Sequence, residues 1–452
     1  MAETGAARAP SAGEMRLVIG ASSLGTVFEW YDFFIYGTLA ASGIIRQHFL
    51  PAGGDETLSN LLVWAGFAVG FGFRPLGAVL FGYLGDRLGR KATFLITITL
   101  MGVATAGVGL IPSYATIGIA APLLIVFLRV LQGLALGGEY GGAAIYVAEH
   151  SPPGRSGFHT SFIQASVVGG FILSLAVVLG FKLPMSAATW SEWGWRLPFL
   201  FSIVLLIVSL WMRLKLSESP VFKAMKAEGS IARNPFIESF TYPGNWKRVL
   251  VALFGIGAGL TVIWYTAMFS VLGFLQKSMR IEETTAQIIC AAGALGGLVF
   301  YIGTGAISDR VGRKPPIVIG YALTLVLLLP LFWLIGWAAG DGAGAPAGGS
   351  FVPTPDRIAI ILAGILGLMF LSGLTYGSVA ALLTEMFPPR IRYSSMSIPY
   401  HIGTGYFGGF LPLISEYIVS RTGDPYSGLW YTFAVVAMAL VVTLFGLKEA
   451  KH

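Results

Sequence analysis

Gly82-Tyr83-Leu84-Gly85-Asp86-Arg87-Leu88-Gly89-Arg90-Lys91 returns as Gly305-Ala306-Ile307-Ser308-Asp309-Arg310-Val311-Gly312-Arg313-Lys314, at a constant offset of 223 (309 − 86 and 313 − 90). Any fold for this chain must therefore contain two related halves with the same charged turn at the same place. Each copy lies between long apolar stretches, so it reads as a tight turn on one membrane face joining two spanning helices. A second match supports the duplication. Glu149-His150-Ser151-Pro152-Pro153 parallels Glu385-Met386-Phe387-Pro388-Pro389 at an offset of 236 (385 − 149), with Arg155 and Arg390 or Arg392 just beyond. The larger offset follows from the Gly, Ala and Pro-rich stretch 338–356 that intervenes, which reads as an irregular outer loop.

Only 11% of the 452 residues are charged and 55% are hydrophobic, against roughly a quarter charged in a soluble domain. About twelve stretches reach the roughly 20 apolar residues that cross a bilayer: 17–40, 60–83, 92–111, 117–146, 158–182, 196–215, 248–276, 284–307, 315–337, 357–383, 395–419 and 428–447. The expected fold is an all-α polytopic membrane protein, with twelve transmembrane helices in two pseudo-symmetric six-helix halves. Residues 1–215 form the first half, 216–247 a polar middle loop and 248–452 the second half. With both termini inside, 20 of the 29 basic residues fall in cytoplasmic segments and only 7 outside. That bias is the positive-inside signature, so the net charge of +7 reflects topology and no nucleic-acid partner is expected. The first apolar segment lacks a signal-peptide layout and is read as a retained helix. Cys290, the one cysteine, excludes an internal disulfide or a thiolate metal cluster.

Charges inside the apolar stretches are costly, roughly 2.5–3.5 kcal/mol each when facing lipid. Glu29, Asp32, Arg74, Arg129 and Glu139 are such charges, and all belong to the first half. At the helical rise, Asp32 lies about 18–22 Å from the inner end of its helix and Arg129 about 14–18 Å from the outer end of its own, so both sit near the midplane. Arg129, Gln132 and Glu139 stay within about 80° of one helix face. Asp32 beside Arg129 is read as a proton site paired with a substrate anchor; the plainer alternative is a buried ion pair that fixes packing. Arg74, followed by Pro75, reads either as a second anchor or as a brace for a kink. Glycines 133, 137 and 141, with Gly66 and Gly70, read as close helix-packing faces. In the second half, Trp264-Tyr265 matches Trp30-Tyr31, with Thr266 where Asp32 stands. Trp264, Tyr265, Thr266, Thr375, Tyr376, Ser378, Tyr400, His401 and Thr404 are expected to supply neutral contacts, with His401 read as either a second proton site or an inert hydrogen-bonded histidine, and Tyr31 of the first half is a further substrate-binding candidate. At the cytoplasmic ends, Asp86, Arg87, Arg90, Glu149, Asp309, Arg310, Arg313 and Glu385 can bridge to hold the inner face shut.

The repeated Asp-Arg-Gly-Arg turn resembles that of the major facilitator superfamily. Glu29-Trp30-Tyr31-Asp32-Phe33, Arg74-Pro75-Leu76-Gly77, Arg129-Val130-Leu131-Gln132-Gly133, Gly137-Gly138-Glu139-Tyr140-Gly141-Gly142 and Glu218-Ser219-Pro220-Val221-Phe222 together resemble its metabolite:proton symporter family, in order over residues 25 to 405. The resemblance implies proton-coupled uptake of a small metabolite bearing a carboxylate, such as 2-oxoglutarate, citrate, shikimate, proline or betaine, by alternating access. It implies proton coupling through Asp32, Glu29 or Glu139, and a monomer in a bacterial cytoplasmic membrane whose partners are substrate, proton and lipid. No cofactor and no enzymatic activity are expected. A sugar or polyol facilitator shares Glu218-Ser219-Pro220, but the Pro-Glu-Thr-Lys-Gly ending is missing at Leu447-Lys448-Glu449. A drug-efflux antiporter would carry a Gly-Pro pair where Val167-Val168-Gly169-Gly170 stands. A receptor-like binding protein would need a signalling appendage that the short tails do not provide.

Overall fold

The computed structural model describes residues 12–88, 90–138, 140–214, 235–340, 349–388 and 391–448. The described residues of each predicted apolar stretch are mostly helical. We label the helical rods α1 (Ala12–Ala41), α2 (Glu56–Gly72 and Arg74–Leu88), α3 (Arg90–Leu110), α4 (Ala120–Gly137 and Tyr140–His150), α5 (Ser156–Lys182), α6 (Arg196–Leu214), α7 (Asn245–Ser278), α8 (Glu283–Val311), α9 (Lys314–Ala338), α10 (Pro355–Tyr376 and Val379–Met386), α11 (392–422) and α12 (Leu429–Gly446). Among the described residues, eight helices are long and apolar enough to cross a membrane, or nine if the bent pair Ala187–Gly194 and Arg196–Met212 is one span. The apolar part of α3, Leu95–Leu110, is short. α1 carries Glu29 and Asp32, and α11 is interrupted by Pro399 and by π-helical turns over Gly403–Gly409.

The first six rods meet the last six most extensively through α5 against α8 and α2 against α11. At the α5–α8 crossing Gly157 and Gly305 face one another, and a Cβ on either would meet the other's carbonyl oxygen at 2.6 Å. α1 meets α7 through aromatic rings, with Phe34 stacked on Trp264 at 5.1 Å between centroids. Within the stretch read as an irregular loop, Phe351 forms a parallel bridge with Ile281, and its N–H donates to the Arg280 carbonyl at 3.1 Å.

α2 and α4 touch backbone to backbone. A Cβ on Gly133 would run into the carbonyl oxygen of Gly70, and one on Gly137 into that of Arg74. Gly141 instead faces Ser397 of α11. Gly137→Ala is therefore expected to push α2 away from α4 at Arg74, at the roughly 1–3 kcal/mol typical of overpacking. Thermal melts in detergent should show a clear loss for Gly137→Ala and none for Gly20→Ala, where nothing lies within 4 Å of the added methyl. Equal melting points would mean that the α2–α4 contact yields freely.

Candidate functional site

α2 breaks at Phe73, because Pro75 brings no N–H to the helical ladder. Tyr406 of α11 donates to the Gly72 carbonyl beside the break at 3.1 Å. Arg74 opens the following segment and is fully buried, yet its Nε, Nη1 and Nη2 have no hydrogen-bond partner. Its guanidinium carbon lies 5.1 Å from the Trp30 ring centroid and 5.4 Å from that of Phe71. Arg74 lines a small central cavity with Trp30, Val167, Thr261, Trp264, Tyr265, Tyr376 and Thr404, so α1, α2 and α5 of the first six rods face α7, α10 and α11 of the last six. The cavity is closed to about 10 Å³, the space of one water.

A hydroxyl and aromatic array continues from the cavity wall. Tyr376 and Tyr400 share a hydrogen bond at 2.7 Å, Tyr400 stacks on Tyr140 at 4.0 Å, and Gln164 donates to the Tyr140 hydroxyl at 2.6 Å. His401 is fully buried edge-on to both Tyr140 and Tyr400, with neither ring nitrogen bonded. Tyr140, Tyr265, Tyr376, Tyr400 and His401 all lie within electrostatic reach of Arg74. The Trp264 indole N–H and the Thr261 hydroxyl, also in the wall, are buried without partners. Chemically, the cavity offers one cation and several unused donors among π faces. A carboxylate satisfies that set, since a guanidinium binds both its oxygens at once.

Arg129 stands differently from the sequence expectation. It donates to the carbonyls of Phe33 (3.2 Å), Gly66 (3.3 Å) and Phe67 (3.3 Å) and to Gln132 Oε1 (2.7 Å). The Phe33 and Tyr36 rings lie 4.1 and 4.7 Å from its guanidinium carbon. Four of its five N–H groups are thus engaged, tying α1 and α2 to α4. Gln132 completes the strut by donating to Thr105 at 2.7 Å and to the Asp32 backbone carbonyl at 3.4 Å. No ion pair joins Asp32 to Arg129. Residues 30 and 32 are about 200° apart on a helix, so with Trp30 on the cavity the Asp32 carboxylate points elsewhere. It lines a separate crevice with Glu29, Ile98, Met101, Leu205 and Ser209, between α1, α3 and α6, where Asp32 Oδ1 has no hydrogen-bond partner. Tyr31 also leaves the cavity: it donates to the Pro198 carbonyl of α6 and packs edge-on to Phe201.

At the end carrying the charged turns, Arg313 is the hub. It donates to Asp309 (2.7 Å), Ser308 (2.7 Å), Ser156 (2.7 Å) and both oxygens of Glu385 (2.9 and 3.2 Å). Asp309 in turn accepts from the backbone N–H groups of Gly157 and Phe158, both at 2.8 Å, in the first turn of α5. That is where a helix favours an anion. Arg392 reaches Glu149 at 3.4 Å. Arg310 is exposed and joins no bond among the described residues. The side chains of Asp86, Arg87 and Arg90, and Glu139 as a whole, lie outside the described residues.

Trp30, Val167, Thr261 and Tyr140 are the site residues that the sequence reading did not select. Thr261 carries a usable signal, three residues before Trp264 and hence on the same helix face; Val167 carries none.

A bundle of apolar helices around a buried cation without a protein acceptor fits a membrane transporter. Family models agree: "Sugar (and other) transporter" matches residues 17–239 and "Major Facilitator Superfamily" residues 271–452. The glycine betaine/proline/ectoine/pipecolic acid transporter OusA of Dickeya dadantii is 33% identical, over 97% of this chain and 84% of its own. The citrate-proton symporter of Klebsiella pneumoniae is 31% identical, over 91% of this chain and 87% of its own. Among solved structures, the proton:xylose symporter XylE bound to 6-bromo-6-deoxy-D-glucose superposes with a TM-score of 0.74 at 18% identity, covering 97% of each chain, which shows the shared fold. The chain belongs to the major facilitator superfamily. It is an integral membrane transporter and not an enzyme.

Proposed function

We propose that this chain imports a small metabolite bearing a carboxylate by proton symport across a bacterial cytoplasmic membrane, through two six-helix halves, 1–215 and 248–452, that alternate access to the central cavity. The observation that carries this reading is Arg74, fully buried in the cavity wall with three nitrogens unpartnered. The relatives named for proline, betaine and citrate all move molecules with a carboxylate. In this reading Arg74 anchors that group, Trp264 and Thr261 donate to the rest of the ligand, and Tyr265, Tyr376, Tyr400 and His401 shape the pocket. Gln132 and Arg129 hold α1, α2 and α4 in register around it.

Coupling follows from charge. Asp32 and Arg74 are separate buried groups of opposite sign, and burying either uncompensated is costly. With both bound, the proton neutralises Asp32 and the carboxylate pairs with Arg74; with neither bound, the two sites together carry no net charge. A half-loaded carrier leaves one charge alone, so the closed intermediate is disfavoured unless both ligands travel or neither does. Glu29, on the same crevice as Asp32, and Glu139 are the alternative proton carriers. Reciprocity of the two bindings is then a thermodynamic necessity.

By the positive-inside bias the charged turns face the cytoplasm, and the Arg313 network is the inner gate, with Asp86, Arg87, Arg90, Glu149 and Arg310 as its remaining charges. Arg313→Ala would leave Asp309 and Glu385 without their cation. Turnover is expected to fall at least about tenfold, the cost of a partly buried charged hydrogen bond, with KM little changed. A raised KM at normal turnover would assign the network to substrate binding. The reading as a whole is tested by uptake into proteoliposomes under an inward proton gradient, screened across mono-, di- and tricarboxylates, shikimate-like acids, betaines and neutral sugars. Accumulation of at least one carboxylate is expected; accumulation of sugars alone would overturn it.

A further inference from the structure

A second cavity lies at the end opposite the charged turns, between the last turns of α7, the end of α11 and the start of α12. Its volume is about 180 Å³, against about 10 Å³ for the central cavity. Lys277 and Glu416 face each other across it. The Lys277 ammonium is 3.4 Å from each Glu416 oxygen, longer than the 2.7–2.9 Å usual for charge-assisted N–H···O bonds, and both side chains are about a quarter to a third exposed. Trp64 of α2 forms part of the wall, with the same ammonium 6.0 Å from its ring centroid. The Ser270 hydroxyl, also in the lining, is buried with no partner.

The floor connects this cavity to the central one. Phe269 lines the outer cavity and lies 5.9 Å from Tyr265 and 6.4 Å from Trp264, which both line the inner cavity. A layer of rings therefore separates the two spaces, and opening it joins them into a single route to Arg74.

We propose that the outer cavity is a second ligand site, which takes a small zwitterion before it reaches Arg74. The proposal rests on the transport reading and adds a second place of binding, selective for the zwitterionic members of the carboxylate class. A loosely held ion pair has no net charge. An anion entering it gains Lys277 and is repelled by Glu416; a cation meets the reverse. A zwitterion sets its carboxylate on Lys277 and its ammonium on Glu416 and the Trp64 face, replacing one long contact by two opposite-charge contacts. The inner cavity, whose charged wall residue is Arg74, does not impose this selection.

The test uses the full chain in lipid nanodiscs, with equilibrium dialysis of radiolabelled trimethylglycine as the probe and butyrate and choline as its two halves. In the unaltered protein a second molecule per chain is expected, weaker than the first, with butyrate and choline at least about tenfold poorer at that second site. Arg74→Ala should remove the first molecule and keep the second. Glu416→Gln should remove the second alone and raise the KM of uptake about fivefold, the scale of a partly exposed ion pair. The exchanged pair Lys277→Glu with Glu416→Lys should restore it. Binding of only one molecule, or of none, by the unaltered protein overturns the outer site, as does unchanged second-site binding in Glu416→Gln. Undiminished first-site binding in Arg74→Ala instead overturns the role of Arg74 while leaving the outer site standing. Trp fluorescence gives an independent readout in the Arg74→Ala background, where the inner site beside Trp30 and Trp264 is empty: a trimethylglycine-induced change should vanish when either Trp64→Phe or Glu416→Gln is added, and its persistence with Trp64→Phe would place the ligand elsewhere.

Discussion

Arg74→Ala is expected to abolish carboxylate uptake at ordinary substrate concentrations, and Arg74→Lys to weaken binding at least about tenfold. The larger effect follows because the guanidinium is buried and meets no protein acceptor. Removing one partner of a desolvated charge pair costs roughly 2–5 kcal/mol, which is about thirtyfold to several thousandfold in affinity. Lysine retains the charge but loses the planar fork that holds both carboxylate oxygens. Arg129 supplies the contrast. Arg129→Lys strips hydrogen bonds from the carbonyls of Phe33, Gly66 and Phe67, so it should lower the melting temperature of the protein while the folded fraction binds substrate with nearly normal affinity. Calorimetry on both variants separates the roles. Unchanged affinity in Arg74→Lys together with lost affinity in folded Arg129→Lys would return the anchor to Arg129.

Asp32→Asn should eliminate accumulation against a gradient while leaving downhill exchange of substrate. The amide is nearly the shape of the acid but carries no exchangeable charge, so α1 behaves as if permanently protonated. Closure of the loaded carrier is then unaffected, whereas the empty carrier returns with Arg74 as the uncompensated charge. Net uptake stalls and exchange continues. Counterflow of labelled substrate and gradient-driven uptake, measured on the same vesicles, check this directly. Full accumulation by Asp32→Asn would pass the proton to Glu29 or Glu139.

The helical segments were legible because long apolar runs mark them, although among the described residues only eight, or nine with the bent pair, are long and apolar enough to cross a bilayer, since charges and short runs dilute the rest. The glycines at 133 and 137 were legible too: a spacing of four puts them on one face, which needs a close neighbour. Which of the two buried arginines is left without protein acceptors was not. Arg74 and Arg129 look alike in a sequence, each a lone cation in an apolar run. The difference lies in the carbonyls that each meets, and those come from other helices: Gly66 and Phe67 from α2 and Phe33 from α1 close on Arg129, while the break at Phe73 and Pro75 sets Arg74 free of them. Asp32 illustrates a signal that was present and misread. Its depth matched that of Arg129, but depth fixes only one coordinate, and the angle of about 200° from Trp30 places it on the far side of α1. The outer pair Lys277 and Glu416 had no sequence signal, since they stand 139 residues apart on α7 and α11.

The claim that substrate and proton enter together is tested most directly by proteoliposomes loaded with a pH-sensitive dye and given a transported carboxylate from outside, at equal starting pH on both faces. Internal acidification that begins with substrate entry, scales with its rate and is absent in Asp32→Asn vesicles is the expected result. Substrate entry at the full rate with no change in internal pH would contradict it and make the protein a facilitator.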